Sequence, residues 1–419
     1  MRTEAEAFLQ RIRAYPDDDA QRLIFADWLD EEGDPRGRFV RVQLALAALP
    51  AHAPEAHRCR QEEEALLGAH RAEWEAPFRG LATGCVFRRG FVDEAKVEAR
   101  VLLRNGADLF AAGPLRHLHL LDVADSLPAV LRSPYLGRLA ALTIHAQHVG
   151  EPLARALAQS DALAGLKRLA VTRNRLGDDS AEQLARSPHL ARLEELNLGE
   201  NEIGETGARA LAAAPNWTKL ARLELRDNRL GAAGAEALAG SERLPALAHL
   251  GLAGNDVGQA RVHSLARATD ALRAPGLDLC GNGLNALSVR ALFGRPPNGD
   301  ASAVRLAALD LSFNPLGDAG AAAVASCAPL AHLRVLRLAN CGIGDEGVRA
   351  LAASPHFDRA EELDLENNPV SDAGFRAFRD TSGWRGLRHL IPPRIGLSAH
   401  LRAALDERFN RARRPAGSA

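Results

Sequence analysis

Four histidines lie close enough in the sequence to suggest a metal site: His117, His119, His145 and His148. Neutral imidazole nitrogens are common ligands of zinc and other transition metals. His117 and His119 are two residues apart in a predicted strand and share one of its faces, and His145 lies on the next predicted strand. A metal site is therefore one interpretation. The other, which we adopt as the prediction, is that these histidines contact a partner on an exposed strand face and bind no metal.

Two other groups of charged residues have structural interpretations. The acidic run at residues 30–34 lacks the ligand spacing of an EF-hand, so we expect a solvated helix end. Arginines near the carboxyl terminus could contact RNA, but basic residues are favoured near a helix carboxyl end in any case. They are Arg402, Arg408, Arg411, Arg413 and Arg414.

Familiar catalytic motifs are absent from the sequence. It has no Gly-x-x-x-x-Gly-Lys-Ser/Thr loop, no Gly-x-Ser-x-Gly elbow and no His-Glu-x-x-His helix. We therefore predict neither enzymatic activity nor a cofactor. The formal net charge of −1 provides no global attraction to nucleic acid or to an anionic membrane.

The cellular location is predicted from what the sequence lacks. The five cysteines include no Cys-x-x-Cys pair, which suits a reducing compartment. The amino terminus lacks the apolar core of a signal peptide, and no stretch is apolar enough to span a membrane. We expect a cytoplasmic, monomeric protein without a membrane segment.

The elements that must position these side chains come from a repeat. The pattern Leu-x-x-Leu-x-Leu-x-x-Asn-x-Leu returns every 27 residues, with one interval of 32 before Asn314. Its clearest copies begin at Leu166, Leu193, Leu220, Leu247, Leu306 and Leu333. The asparagine position holds Asn174, Asn201, Asn228, Asn255, Asn282, Asn314, Cys341 and Asn368. This spacing is typical of leucine-rich repeats, and the helical 27-residue version resembles the ribonuclease-inhibitor type.

Each repeat predicts a short parallel strand, a turn through the asparagine, and a helix. The resulting fold class is α/β, a leucine-rich-repeat solenoid with a curved parallel sheet on the concave face and helices on the convex face. Inward leucines each contribute roughly 1.5–3 kcal/mol when buried. The asparagine amide both donates and accepts, so we expect a structural ladder of asparagines that satisfies buried turns.

A small α-helical domain is predicted before the repeats. Pro16-Asp-Asp-Asp19, Leu23-Ile-Phe-Ala-Asp-Trp-Leu29, Gly33-Asp-Pro-Arg36 and Phe39-Val-Arg-Val-Gln-Leu44 resemble the bacterial repeat-companion domain, a helical module found beside repeat arrays. The resemblance implies association with repeat proteins and carries no catalytic residues. Arg89-Gly-Phe-Val92 and Leu109-Phe110 resemble the segment that links this module to leucine-rich repeats.

Four domains follow from these patterns. Residues 1–80 form the helical companion domain, and 81–114 form a linking or capping segment. Residues 115–397 contain about 10–11 repeat units. Residues 398–419 form a carboxyl-terminal cap and basic tail. The helical domain and the final helix are expected to cover the ends of the array, since uncapped repeats would expose rows of leucines.

The predicted function is non-enzymatic protein binding by a scaffold or adaptor through the concave face. Residues between and beside the inward leucines must point away from the core because side chains alternate along a strand. The predicted protein-binding residues are His119, Asn197, Glu224, Arg226, Asp278, Asp310, Arg337, Asp364 and Glu366. Carboxylates prevail toward the carboxyl end, which predicts a basic partner segment there.

Three alternatives stay open at this level. The strand face could simply be polar without binding anything. The chain could regulate a nucleotide-binding partner, as the Ran GTPase-activating proteins with this repeat type do. It could also bind nucleic acid, although aromatic residues make up only 5% of the chain and do not alternate with the terminal arginines.

Overall fold

The computed structural model describes residues 2–49, 53–258, 274–294 and 306–410. The chain divides into two compact units: unit 1 comprises residues 1–147 and 159–170, and unit 2 comprises 148–158 and 171–419. Within the described ranges, no helix combines the length and apolar character needed to cross a membrane. The predicted loop insertion at residues 295–300 and the basic tail from residue 411 lie outside the described residues.

Unit 1 begins with four helices. They are α1 (Arg2–Ala14), α2 (Asp19–Glu31), α3 (Arg36–Ala48) and α4 (Pro54–Trp74). Asp18 caps α2, and its carboxylate accepts a hydrogen bond from the Ala20 amide at 3.0 Å. These helices form the amino-terminal helical region that the sequence predicts.

A β-hairpin follows the helices and shares their core. It consists of β1 (Thr83–Arg88) and β2 (Phe91–Glu98), which pair in antiparallel fashion, and α5 (Ala99–Ala111) follows. Phe91 on β2 is buried with Ile12, Phe25 and Val40 from the helices. The sequence predicts only a linking or capping segment here, and both strands go beyond that prediction.

The hairpin turn is fixed by α3. Gly90 has a φ of +88°, and a Cβ atom there would lie 2.2 Å from Cγ2 of Val40. The buried Gln43 side chain accepts a hydrogen bond from the Gly90 amide at 2.7 Å and donates one to the Phe87 carbonyl at 3.1 Å. Arg36 donates to the Gly90 carbonyl at 3.2 Å. Only glycine fits this close approach between helix and turn.

The rest of unit 1 starts the parallel sheet. Strand β3 (His117–Leu121) pairs in parallel with β2 and with β4 (Ala141–His145). Helix α6 (Leu127–Leu131) lies between β3 and β4 in the chain. The division between the two units falls inside β5 (Arg168–Thr172). Short 3₁₀ helices occur at Ala76–Phe78, Ala124–Ser126, Pro134–Arg138, Asp161–Leu163 and, in unit 2, Ala328–Leu330.

Unit 2 alternates strands and helices. Its strands, in chain order, are β6 (Glu195–Asn197), β7 (Arg222–Glu224), β8 (His249–Gly251), β9 (Gly276–Asp278), β10 (Ala308–Asp310), β11 (Val335–Arg337), β12 (Glu362–Asp364) and β13 (His389–Ile391). Its helices are α7 (Glu151–Gln159), α8 (Asp178–Arg186), α9 (Glu205–Ala212), α10 (Gly231–Ala239), α11 (Ala286–Phe293), α12 (Gly317–Ala325), α13 (Asp345–Ala352), α14 (Asp372–Asp380) and α15 (Ala399–Phe409). Each strand from β6 to β13 pairs in parallel with the next.

The strand register stacks equivalent leucines. The central residue of every strand in this series is a buried leucine, and each pairs with the leucine of the next strand. These residues are Leu196, Leu223, Leu250, Leu277, Leu309, Leu336, Leu363 and Leu390. Since each repeat buries its apolar face against its neighbours, unit 2 is a solenoid.

Candidate functional site

The asparagine ladder binds each repeat to the one before it. Nδ2 of Asn201 donates to the carbonyl of Val171 at 2.7 Å and to that of Leu198 at 2.8 Å. Oδ1 of Asn201 accepts from the amides of Asn174 at 2.9 Å and Leu176 at 3.1 Å. Side-chain hydrogen bonds to the preceding repeat are also made by Asn228, Asn255, Asn282, Asn314 and Asn368. One buried amide thus bonds backbone groups of its own turn and of the preceding repeat.

Cys341 takes one asparagine position of the ladder, and its thiol is a weaker hydrogen-bonding group than an amide. Its Sγ lies 3.2 Å from the carbonyl of Leu311, but it provides no amide oxygen for the preceding turn. The Leu316 amide instead bonds the Asn314 carbonyl within its own turn at 2.8 Å. Burial raises the pKa of the Cys341 thiol to about 12, so this thiol is not a nucleophile at neutral pH.

A second ladder on the helix side was not predicted. Oδ1 of Asp178 accepts from the amide of Gly204 at 2.6 Å and from that of Gly207 at 2.9 Å. Asp318 does the same for Gly344, at 2.7 Å. A carboxylate at the start of one helix therefore caps the next helix. The sequence feature that could have predicted this second ladder is the Gly-Asp pair that recurs at the start of the helices.

The sheet face of unit 2 presents the predicted binding residues. We define the sheet face as the residues that flank the buried leucines and point away from them: Glu195, Asn197, Arg222, Glu224, Arg226, His249, Asp278, Cys280, Asp310, Ser312, Arg337, Glu362, Asp364 and Glu366. All the predicted protein-binding residues except His119 belong to it, and His119 lies on β3 in unit 1. The alternation of buried and accessible residues follows from the strand period of two.

Charges in the first repeats of the sheet face are balanced. Glu224 lies 3.2 Å from Arg222 and 3.0 Å from Nε2 of His249. Burial opposes ionisation of Glu224, but hydrogen bonds from His249 and Arg222 outweigh it and hold the pKa of the carboxyl below its ordinary value. This part of the face is a set of mutually satisfied ion pairs.

Charges in the later repeats are not balanced. Asp278 and Asp310 stand opposite each other in the parallel register of β9 and β10. Burial raises the pKa of Asp278, and the neighbouring charge of Asp310 raises it further. Within the described ranges, neither residue forms an ion pair. Like charges directly opposite in a sheet are destabilising, so the charges of this pair cost the fold stability.

The negative character continues to β12. Burial raises the pKa of Asp364, and the nearby Glu366 adds to the effect. Arg337, which lies between β10 and β12, is held by Glu362 at 2.9 Å. Glu366 forms an ion pair with Arg394.

The same aspartates have a structural contact that the sequence analysis did not foresee. Oδ1 of Asp278, Asp310 and Asp364 each accepts a hydrogen bond at 2.8 Å from the amide two residues later. Asn197 makes the equivalent bond to Gly199 at 2.9 Å with its amide oxygen. Because asparagine performs this contact as well, the turn requires an oxygen but not a negative charge.

The histidine cluster differs from the one considered from the sequence. Three possible ligands lie within 4.8 Å of one another in unit 1: Glu94, His117 and His119. Neither His145 nor His148 belongs to this group, so the structure does not bring His145 to the site that the metal interpretation considered. The missing partner comes from β2, which the sequence analysis did not recognise as a strand. Another group of three in the described residues is Asp278, Cys280 and Asp310.

Other candidate residues make structural contacts. Arg402 donates to the Pro393 carbonyl at 2.7 Å, and Arg408 donates to the carbonyls of Arg379 and Thr381. Asp30 accepts from Arg41 at 2.8 Å, at the end of α2. Arg411, Arg413 and Arg414 lie outside the described residues.

The family comparison agrees with this repeat geometry. A model of the family described as "Leucine Rich repeat" matches residues 189–212, 218–239, 306–325 and 330–352. The chain therefore contains leucine-rich repeats in these four segments. The predicted fold class, an α/β leucine-rich-repeat solenoid with an amino-terminal helical region, is confirmed.

More distant likenesses come from solved structures. An internalin (InlF) from Listeria monocytogenes is 17% identical, with a TM-score of 0.33 over 68% of this chain and 93% of that one. A chain of the yeast Rad7–Elc1 complex is 15% identical, with a TM-score of 0.38 over 74% and 79%. Actin-binding site 2 of leiomodin-1 is 18% identical, with a TM-score of 0.27 over 32% and 80%. TM-scores this low say nothing about what this protein binds. No curated protein matches the chain.

Proposed function

We propose that this leucine-rich-repeat protein is a non-enzymatic scaffold that binds a basic segment of another protein on the sheet face of unit 2. The observation that carries the proposal is the opposition of Asp278 and Asp310 in adjacent strands. A partner that brings arginine or lysine side chains to this place would relieve their repulsion. Asp364 extends the attractive region by two strands.

The hydrogen bonds of these aspartates strengthen the argument. Since Asn197 makes the same turn contact, asparagine could replace all three acids without loss of the turn. The turn therefore does not require the negative charge of these residues, and electrostatic complementarity to a partner would account for it.

The same charges disfavour nucleic acid. Phosphate groups would be repelled by the sheet-face carboxylates, and nucleic-acid affinity depends mainly on contacts to phosphates. Regulation of a nucleotide-binding partner, cytoplasmic location and a monomeric state stay predictions, as do the companion-domain resemblance, the ribonuclease-inhibitor type and the domain limits.

Isolation of partners with matched variants tests the proposal. The first variant combines Asp278→Asn, Asp310→Asn and Asp364→Asn, and the control combines Glu182→Gln, Glu205→Gln and Glu346→Gln on the helices. Both change the net charge equally, and the control removes only exposed ion pairs with arginines.

Proteins isolated from host extract by the wild-type chain should be lost with the sheet-face variant and kept with the control. Direct binding of the purified partner should then fall at least tenfold with the sheet-face variant. Equal retention of the partner by the two variants contradicts the proposed surface.

A further inference from the structure

Three side chains of types that bind metals converge on one face of unit 1. Glu94 lies on β2, and His117 and His119 lie on β3. The parallel register places Glu94 opposite His117, and His119 follows on the same face. We propose that Glu94, His117 and His119 bind a divalent transition-metal ion such as Zn²⁺, with at least one coordination position left for water or another ligand.

The distances bring the donor atoms to nearly the right separation. Oε1 of Glu94 lies 2.7 Å from Nε2 of His119, and Oε2 lies 3.2 Å from Nδ1 of His117. Ligand bonds to zinc of about 2.0–2.1 Å in a tetrahedral site separate the donor atoms by roughly 3.4 Å. The side chains therefore need only small movements to surround an ion.

Neighbouring groups hold two of the ligands in position. Nε2 of His117 lies 2.9 Å from Oγ1 of Thr143 on β4. When that nitrogen carries the proton and donates a hydrogen bond to the threonine hydroxyl, Nδ1 keeps a lone pair for the metal. Arg88 donates to Oε2 of Glu94 at 3.1 Å and so fixes the orientation of the carboxylate.

Solvent reaches the cluster at one of its ligands. The side chain of His119 is 27% exposed, so an ion can enter from solvent.

A hydrogen-bonded bridge without metal is the competing account of this cluster. In that account the Glu94 carboxylate accepts one hydrogen bond from each imidazole. Unit 2 supplies a matched case, because Glu224 and His249 form the same kind of pair at 3.0 Å with no second histidine. A carboxylate and two imidazoles should hold an ion that a carboxylate and one imidazole cannot.

Titration of the untagged, full-length chain with Co²⁺ and Zn²⁺, after removal of adventitious metal, tests the proposal. We expect one Co²⁺ per chain, visible absorption bands, and displacement by Zn²⁺. His119→Gln and Glu94→Gln should each weaken binding at least tenfold, and Thr143→Val should weaken it about tenfold through its effect on His117. His249→Gln should leave the affinity unchanged.

X-ray absorption of the zinc-loaded wild-type chain gives a reading that does not depend on how well the variants fold. It should show two imidazoles with oxygen ligands and no sulfur. The proposal is overturned if the wild type binds no ion, or if binding survives His119→Gln in a folded chain. Loss of binding in Cys280→Ser would also overturn it, since the ion would then belong to the group of Asp278, Cys280 and Asp310.

Discussion

At the scale of single residues, the asparagine ladder shows how one amide can hold two repeats. Asn201 donates to carbonyls in its own turn and in the preceding repeat, and it accepts from two amides of the preceding turn. The sulfur of cysteine is only a weak donor and a weak acceptor, so it replaces the amide poorly in both functions. The ladder should therefore contribute to stability at every asparagine and contribute less at Cys341.

Substitution tests this difference directly. Asn201→Ala should lower the free energy of unfolding by on the order of 1–3 kcal/mol, because buried backbone groups lose their partners. Cys341→Asn should be neutral or mildly stabilising, since it restores an acceptor for the Asn314 turn. Chemical denaturation of both variants provides the measurement. An Asn201→Ala protein as stable as wild type, together with an unfolded Cys341→Asn protein, would show that the register is wrong.

The sequence was informative about these residues for a physical reason. Leucines and asparagines recur because each repeat packs against equivalent neighbours. The repeat period therefore predicts which of these residues are structural. Glu94 carries no such signal, since it pairs with His117 and His119 only through a register between β2 and β3. The contacts of Asp278 and Asp178 with backbone amides were missed for the same reason, as both depend on turn geometry.

At the scale of elements, helix α3 and the β1–β2 hairpin form one structural piece. Gln43 and Arg36 from α3 bond both sides of the turn around Gly90. The four helices were predictable because proline, aspartate caps and apolar spacing act within each helix. The hairpin was not, because its strands are defined by long-range packing of Phe87 and Phe91 against the helices.

Gly90→Ala tests the contact between α3 and the turn. The alanine would combine a left-handed backbone with an approach of 2.2 Å to Val40, so we expect a marked fall in melting temperature. Gly80→Ala is the matched control, because Gly80 has a φ of +77° but no atom within 4 Å of its added Cβ. Equal melting temperatures for the two variants would mean that α3 does not constrain the turn.

Removal of residues 1–80 tests the predicted role of the helical region as a cap. Phe91 would lose its buried partners Ile12, Phe25 and Val40. We expect aggregation or loss of cooperative unfolding, measured by light scattering and calorimetry. A soluble truncated chain with unchanged melting would refute the capping role.

At the scale of the whole molecule, function is proposed to arise from charge placed on a constant scaffold. The leucines of unit 2 fix where every strand lies, while the sheet-face residues between them change from repeat to repeat. Fold class could therefore be predicted from the period alone. The period could not predict which carboxylates lack an ion-pair partner, because pairs such as Glu362 with Arg337 depend on how far the side chains reach.

The combined variant Asp278→Asn, Asp310→Asn and Asp364→Asn should be slightly more stable than wild type. Relief of like-charge opposition is worth up to about 1 kcal/mol, and the turn hydrogen bonds are kept. The raised pKa values of Asp278 and Asp364 also determine the direction in which stability changes with pH. Because the folded state binds these protons more tightly, their contribution to stability falls as pH rises from the ordinary pKa through the raised one.

Calorimetry as a function of pH should therefore show the stability advantage of the variant growing as pH rises from the ordinary pKa of an aspartate through the raised pKa values of Asp278 and Asp364. A variant that is less stable than wild type at neutral pH would mean that the three charges support the fold.

The most direct test of the central claim is a selection of peptides from a random display library on the wild-type chain, the sheet-face variant and the helix-side control. If the sheet face binds a basic segment, the wild type and the control should enrich arginine- and lysine-rich peptides, and the sheet-face variant should not. Their measured affinity for the wild type should also fall as salt increases. Enrichment of the same basic peptides by all three proteins, or of peptides without basic residues by the wild type, would contradict the account.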